Sequence, residues 1–414
     1  MSKIVKRKPL VLPKSRLPWK LQQGLRSLSS FFGIISQHMR LFFPYLKYSL
    51  TNFLKANKKD RPTIFVCIKE KSILEHAFGG AQGRHFYHIL RTLAFSGHNI
   101  NVYKNFKFKD FISVGQFGRL IYLIENLKIV SKVPKETEDK IFCFDKEDKA
   151  CADKKWKKSI RIRYDISSAL EQNQRPIIMP YPMSPEMNLC KKQDSVKIFR
   201  DNERSFRIFF SGDVQTYHAN LSKLYKDKLT RLEAIEAIRY DLDDEHKACV
   251  TNEKEFDSLF DGQYRDKFIL VDTDKIRIKP EYWLDTVSRS DFFLCAPGDF
   301  MPVCHNAIEA MAVGTIPIIN YPEWFTPPLT HMENAILFSD RKDLIEKIKY
   351  VLEMDRETIT ELKNNVINYY EDHLDLKKFI NRVISGSENE LTVFIINESF
   401  RKAEYWANIN KKTD

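Results

Sequence analysis

DFFLCAPGDFMPVCHNAIEAMAVGTIPIIN, residues 291–320, holds two apolar runs separated by a turn and a compact helical segment. Asp291 to Cys295 has the length and composition of a strand buried in a parallel sheet. Ala296-Pro297-Gly298-Asp299 breaks it with turn residues. Ala307 to Val313 reads as a helix stopped by Gly314, and Thr315 to Ile319 as a second buried strand. The order predicts a βαβ unit, and such units bind ligands outside the carboxyl ends of their strands. Gly298, Asp299, His305, Asn306 and Glu309 gather at that place. The N-terminus of the helix there favours an anion, because its first N–H groups lack partners and its dipole is positive.

The stretch resembles a known family. Its Pro297-Gly298-Asp299 loop, its Glu309-Ala310-Met311-Ala312-x-Gly314 helix and its Ile316-Pro317-Ile318-Ile319 strand resemble the nucleotide-sugar site of exostosin-like glycosyltransferases of family 47. The helix is also similar to the donor helix of other GT-B enzymes, including family 4. The resemblance implies that Glu309 binds the donor ribose while the helix N-terminus faces the diphosphate. It also implies a carboxylate facing an open cleft. An ordinary Rossmann-like unit with a buried glutamate is the other reading of the same residues. Two departures matter. Met301 stands where family 4 carries a second glutamate, which argues against a retaining course. His305 and Asn306 stand where exostosin-like proteins often carry arginines, so neutralising the diphosphate falls to Arg231 or Lys226.

Charge is unevenly placed. The chain of 414 residues has a formal net charge of +12. Residues 1–60 contain thirteen Lys or Arg and one acid, Asp60, and the other 354 residues hold 54 basic and 54 acidic side chains. The body is therefore neutral, and with its aromatics dispersed it is not expected to bind nucleic acid. In the arm, Leu21, Leu25, Leu28, Phe32, Ile35, Met39, Phe42, Leu46, Leu50 and Phe53 fall on one helical face. Its longest uncharged stretch, residues 27–39, is short of the ~20 residues that span a bilayer. Residues 20–54 are thus expected to lie on an anionic membrane surface from the cytoplasmic side, or else to pack on the body. Seven cysteines without a CxxC read as reduced thiols.

Length allows two domains. The expected layout is a basic arm (1–60), an acceptor domain (61–180), a linker (181–204), a nucleotide-sugar domain (205–385) and a C-terminal crossing helix (386–414). The first domain opens with a strand at Pro62 to Ile68, a Gly79-Gly80 and Gly83 loop, a helix stopped by Gly97, and a strand at Ile100 to Tyr103. This is similar to the first βαβ unit of family 4-like enzymes. Residues 116–130 read as helical. The second domain opens with Phe206 to Phe210 running into Ser211-Gly212-Asp213, where a glycine lets a phosphate approach the backbone. Arg231 then opens a helix.

The fold class expected is α/β, GT-B, with two Rossmann-like domains and a cleft between them. The implied activity is an inverting, metal-independent transfer of sugar from a nucleotide-diphosphate donor to a glycan or glycolipid acceptor in surface polysaccharide synthesis, with no cofactor. The donor site comprises Ser211, Gly212, Arg231, Gly298, Asp299, His305, Asn306 and Glu309. The candidate general base is His85, just after the glycine loop, with Glu75 second. Two alternatives stay open: a non-catalytic nucleotide-sugar or glycan-binding protein, and a metal-dependent GT-A transferase using Asp272 and Asp274.

Overall fold

The computed structural model describes residues 4–6, most of 42–70, and 84–103, 118–164, 176–190, 193–213, 228–261, 264–273, 275–298 and 302–395. Glu75, the 79–83 glycines, Lys226, Asp274, Asp299, Met301, residues 20–40 of the arm and the end of the chain beyond 395 lie outside the described residues. The chain forms two compact units, one of Lys8–Tyr164 with Ile380–Phe394 and one of Met1–Arg7, Asp165–Phe379 and Ile395–Asp414. Each is an α/β unit built on a parallel sheet.

In the first unit, strand β1 (Thr63–Cys67) leads through helix α1 (Arg84–Ala94) to β2 (Asn99–Tyr103). β3 (Leu127–Val130), β4 (Ile141–Phe144) and β5 (Lys158–Arg163) follow. They lie parallel in the order β3-β2-β1-β4-β5. β1 and β4 are buried apolar runs because a parallel sheet is covered on both faces. The helix expected over 116–130 is instead a 3₁₀ turn, Arg119–Leu123, followed by β3. Asn126 donates its side-chain amide to Ala94 O at 3.3 Å and His98 O at 2.5 Å, which ends the turn and starts the edge strand.

In the second unit the elements are β6 (Phe206–Gly212), α2 (Arg231–Tyr240), β7 (Lys247–Val250), β8 (Phe268–Asp272) and β9 (Ile276–Ile278). Then come α3 (Pro280–Val287), β10 (Ser290–Leu294), α4 (His305–Ala312), β11 (Ile316–Ile319) and β12 (Ile336–Leu337). The sheet order is β12-β11-β10-β6-β8-β7, all parallel. β6, first in sequence, lies in the middle; the chain passes to β7 at one edge, returns to β8 beside β6, and then crosses to β10, β11 and β12 on the other side. β10 and β11 are wholly buried, as their apolar runs predict. Gly97 (φ 78°) and Gly314 (φ 73°) stand just past the ends of α1 and α4 in the left-handed region, the conformation that stops a helix with least strain in glycine.

The segment expected as a linker carries structure of its own. Residues 181–204 belong to the second unit and carry a helix, Pro185–Leu189, and a 3₁₀ segment, Gln193–Phe199. After the sheet come α5 (Arg341–Glu353), α6 (Arg356–Tyr369), a π turn (Tyr370–Leu374) and α7 (Leu376–Ser385). At the start of the segment expected as a crossing helix, strand β13 (Glu390–Phe394) pairs parallel with β5 of the first unit, and residues 396–414, where that helix was expected, lie outside the described residues. Lys158, at the start of β5, fixes this return. Its ammonium donates to Val383 O, Ile384 O and Gly386 O at 3.1, 3.0 and 2.6 Å. A cation on these last carbonyls also complements the helix dipole.

The π turn carries a pH-sensitive contact. Glu371 accepts from Arg200 Nη1 at 2.7 Å and pairs with Lys378 at 2.9 Å and Lys197 at 3.0 Å. These partners, Arg200 foremost, lower its carboxyl from 4.5 to about 2. A depressed folded-state value stabilises above the unfolded pKa, and the contribution is lost as pH falls from about 4.5 towards 2. For this partly exposed site we expect ~1–2 kcal/mol. Acid titration of the melting temperature should show that increment in the wild type, and Glu371→Gln should lack it. Equal acid slopes in the two proteins would contradict the assignment.

Candidate functional site

A pocket of about 280 Å³ opens outside the carboxyl ends of β6 and β8. This is where the winding of the second sheet reverses, the place at which open parallel sheets bind ligands. Ser211, Gly212 and Asp213 reach it from the end of β6, Thr273 from the end of β8, and Arg277 and Ile278 from β9. Arg231, from the first position of α2, and Cys304, His305 and Asn306, from the start of α4, line it too. Two helix N-termini therefore meet one pocket.

Each is fixed by local chemistry. α2 begins with a capping box: Thr230 Oγ1 accepts from Glu233 N–H at 3.3 Å, while Thr230 N–H donates to Glu233 Oε2 at 2.8 Å. Arg231 Nε donates to Pro297 O at 3.1 Å, tying the guanidinium to the loop after β10. Gly298 N–H donates to Pro302 O at 3.0 Å and closes that loop. No side chain caps α4, whose N-cap is Cys304. Burial pushes the Cys304 thiol up, so it stays protonated. Ala307 N–H donates to Cys304 O at 3.2 Å, and the positive end of the helix dipole lies at the pocket.

Glu309 lies one turn into α4 and lines the pocket, but it has no exposed surface. The expectation of a carboxylate facing an open cleft is corrected here. Its Oε1 accepts from Ser184 N–H at 2.7 Å and its Oε2 from Trp283 Nε1–H at 2.5 Å. These donors compensate for burying a carboxylate and aim it from both sides.

Of the expected donor-site residues, the structure brings Ser211, Gly212, Arg231, His305, Asn306 and Glu309 to this one pocket. Gly298 is in the adjoining loop, and Asp299 lies outside the described residues. Asp272, the first acid of the proposed metal pair, is turned to Arg239 in an ion pair at 3.4 Å. Among the described residues no group of three His, Cys, Asp or Glu side chains is placed to hold a metal.

His85 does not fit the role of general base. It is buried in α1, and burial, with Arg84 beside it, lowers its imidazole to about 3. General-base catalysis favours a pKa near the working pH and contact with the reacting proton. Glu75, the second candidate, lies outside the described residues.

Sequence reasoning missed Ser184, Trp283, Arg277 and Thr273. Ser184 sits in Pro180-Tyr181-Pro182-Met183-Ser184-Pro185, which reads as a linker because it lacks periodicity. The available signal was its apolar content: Tyr181, Met183 and Met187 are buried in the core of the second unit. Trp283 lies one turn into a helix opened by Pro280, where a single aromatic reads as packing.

No protein-family model and no curated protein sequence matches the chain. Solved structures similar to it include HepE of Anabaena in complex with UDP, at 11% identity, covering 78% of this chain and 98% of that one, with a TM-score of 0.39. A glycosyltransferase from Rickettsia africae is 9% identical over 78% of this chain and 97% of that one, with a TM-score of 0.41. Sucrose-phosphate synthase from Thermosynechococcus elongatus is 11% identical over 78% and 98%, with a TM-score of 0.37.

Proposed function

We propose that the chain is a glycosyltransferase of GT-B, exostosin-like character. It moves a sugar from a nucleotide-diphosphate donor to a glycan or glycolipid acceptor in surface polysaccharide synthesis. The observation that carries this reading is the meeting of two helix N-termini, Arg231 and Glu309 in one pocket at the reversal point of a parallel sheet.

The diphosphate takes the N-terminal N–H groups of α4 and the Arg231 guanidinium. Both stabilise the charge that grows on the leaving group as the glycosidic bond breaks. Gly212 lines the pocket with its backbone, and its missing side chain makes room for the Phe210 ring, which would lie 2.8 Å from a Cβ there. The ribose hydroxyls donate to Glu309, replacing one of its present donors, because a fully buried carboxylate accepts a ligand only by exchange. Catalysis then rests on orientation and charge stabilisation, without a metal or cofactor. The inverting course rests on Met301 standing in the place of a second glutamate.

Calorimetry with a panel of nucleoside diphosphates tests the reading. Arg231→Ala should weaken binding by ~1.5–3 kcal/mol, the range for a charged hydrogen-bonding partner. Arg231→Lys should restore only part, since an ammonium lacks the planar fork. If no nucleoside diphosphate binds, the reading fails. Binding without turnover in a screen of sugar nucleotides would favour the non-catalytic alternative, and turnover abolished by chelator would contradict metal independence.

We also propose that residues 20–54 attach the protein to an anionic membrane surface from the cytoplasmic side. The support is the net charge of residues 1–60, which equals that of the whole chain. Among the described residues no helix is long and apolar enough to cross a membrane.

A further inference from the structure

Within 42–54 the described residues of the arm are helical. On a helix with 100° per residue, Tyr45, Ser49 and Asn52 fall on one side and Phe43, Leu46, Leu50 and Leu54 on the other. The first side meets the body. Asn52 Nδ2–H donates to Ile129 O at 3.1 Å, and Ile129 N–H donates to Asn52 Oδ1 at 2.8 Å. The side-chain amide thus imitates a neighbouring strand on the edge strand β3. The second side is bare: Phe43 is 70% exposed, Leu46 41%, Leu50 64% and Leu54 78%. Four large apolar side chains in one stripe are the opposite of what a helix packed on its own body for stability presents to solvent.

We propose that Phe43, Leu46, Leu50 and Leu54 form the face that enters an anionic bilayer, and that Asn52 holds the same helix against β3. The inference rests on the membrane reading above and assigns it to residues. The occupant is a lipid surface because the excess positive charge of the chain lies wholly in residues 1–60, of which this stripe is part. Apolar burial and basic attraction then act on one segment, the pairing that interfacial helices use. The two-point Asn52 contact makes the attachment short and directional, so β3 is the edge of the first unit brought nearest the headgroups.

The test uses the full chain and vesicles of phosphatidylcholine alone or with phosphatidylglycerol. Wild type should float with the anionic vesicles, and a Phe43→Ser, Leu50→Ser, Leu54→Ser variant should lose at least tenfold in partition. Ile198→Ser, which alters an exposed apolar side chain of the second unit, should leave partition unchanged. Melting temperature and nucleoside-diphosphate affinity, measured in parallel, should be unaltered in the triple variant. Wild type that floats equally with and without the stripe overturns the inference while leaving membrane attachment standing. Wild type that does not float overturns both, and leaves the nucleotide reading to its own binding test. A triple variant that converts a dimer to a monomer with vesicle binding unchanged makes the stripe a contact between copies, and also overturns the proposal.

Discussion

Glu309→Gln is expected to lose both nucleotide affinity and stability. The carboxylate receives Ser184 N–H and Trp283 Nε1–H, one on each oxygen. An amide in the same place keeps one acceptor and turns a donor towards the other partner. That leaves a buried donor unsatisfied, at a cost of ~1–3 kcal/mol. Loss of the charge-assisted ribose contact should weaken nucleoside-diphosphate binding by ~1.5–3 kcal/mol, about 10- to 150-fold. Trp283→Phe separates the two effects. It removes one donor from Glu309 but keeps an aromatic ring, so the free protein should lose ~1–3 kcal/mol. The ribose hydroxyl then supplies the missing donor, and affinity should rise severalfold. Calorimetry and thermal melts on both variants decide the matter. Lower stability with unchanged affinity in Glu309→Gln would make the glutamate a structural link between Ser184 and Trp283, and the donor site would have to be redrawn.

Arg204→Ala is expected to give the largest loss of stability at a single site away from the pocket. Arg204 Nη1 donates to Ser290 O at 2.8 Å and Thr315 Oγ1 at 3.1 Å, and also to Ser288 O. Its Nη2 donates to Gly314 O at 3.1 Å and Val313 O at 3.4 Å. One planar cation thus joins the ends of α3 and α4 to the starts of β10 and β11. Ser288, Ser290, Val313 and Thr315 are fully buried, so their polar groups have little access to water as a substitute. Deleting the guanidinium should cost ~3–5 kcal/mol, the range for breaking a buried charged network. Arg204→Lys should recover little, since one ammonium cannot reach both α-helix ends in a fork. Urea unfolding monitored by tryptophan fluorescence measures this directly. A loss under about 1 kcal/mol would show that these carbonyls find other donors.

Much of the architecture was legible because its signals are local. The buried strands of both sheets are short apolar runs, and Gly97 and Gly314 stop helices through a backbone conformation that glycine adopts with least strain. The α4 helix, with His305, Asn306 and Glu309 at its start, could be placed from residues 291–320 alone. So could the confinement of the net charge to the first 60 residues. Residues 127–130 were misread because a short apolar run serves a helix or a strand equally until Asn126 finds its acceptors.

Sequence alone therefore determined the alternation of strands and helices, the helix that carries Glu309 and the basic arm. The tertiary structure decided partnership. Glu309 meets Ser184 across 125 residues and Trp283 across 26, and no periodicity records which distant donor will face a carboxylate. β13 joins β5 after more than 200 intervening residues, within a segment whose sequence reads as the start of a crossing helix. His85 follows a glycine loop, as a reactive group would, yet packing in α1 withdraws it from water and lowers its basicity. The physical reason is the same in each case. Turn chemistry and hydrophobic period act over a few residues, whereas burial and hydrogen-bond pairing depend on which surfaces the folded chain brings together.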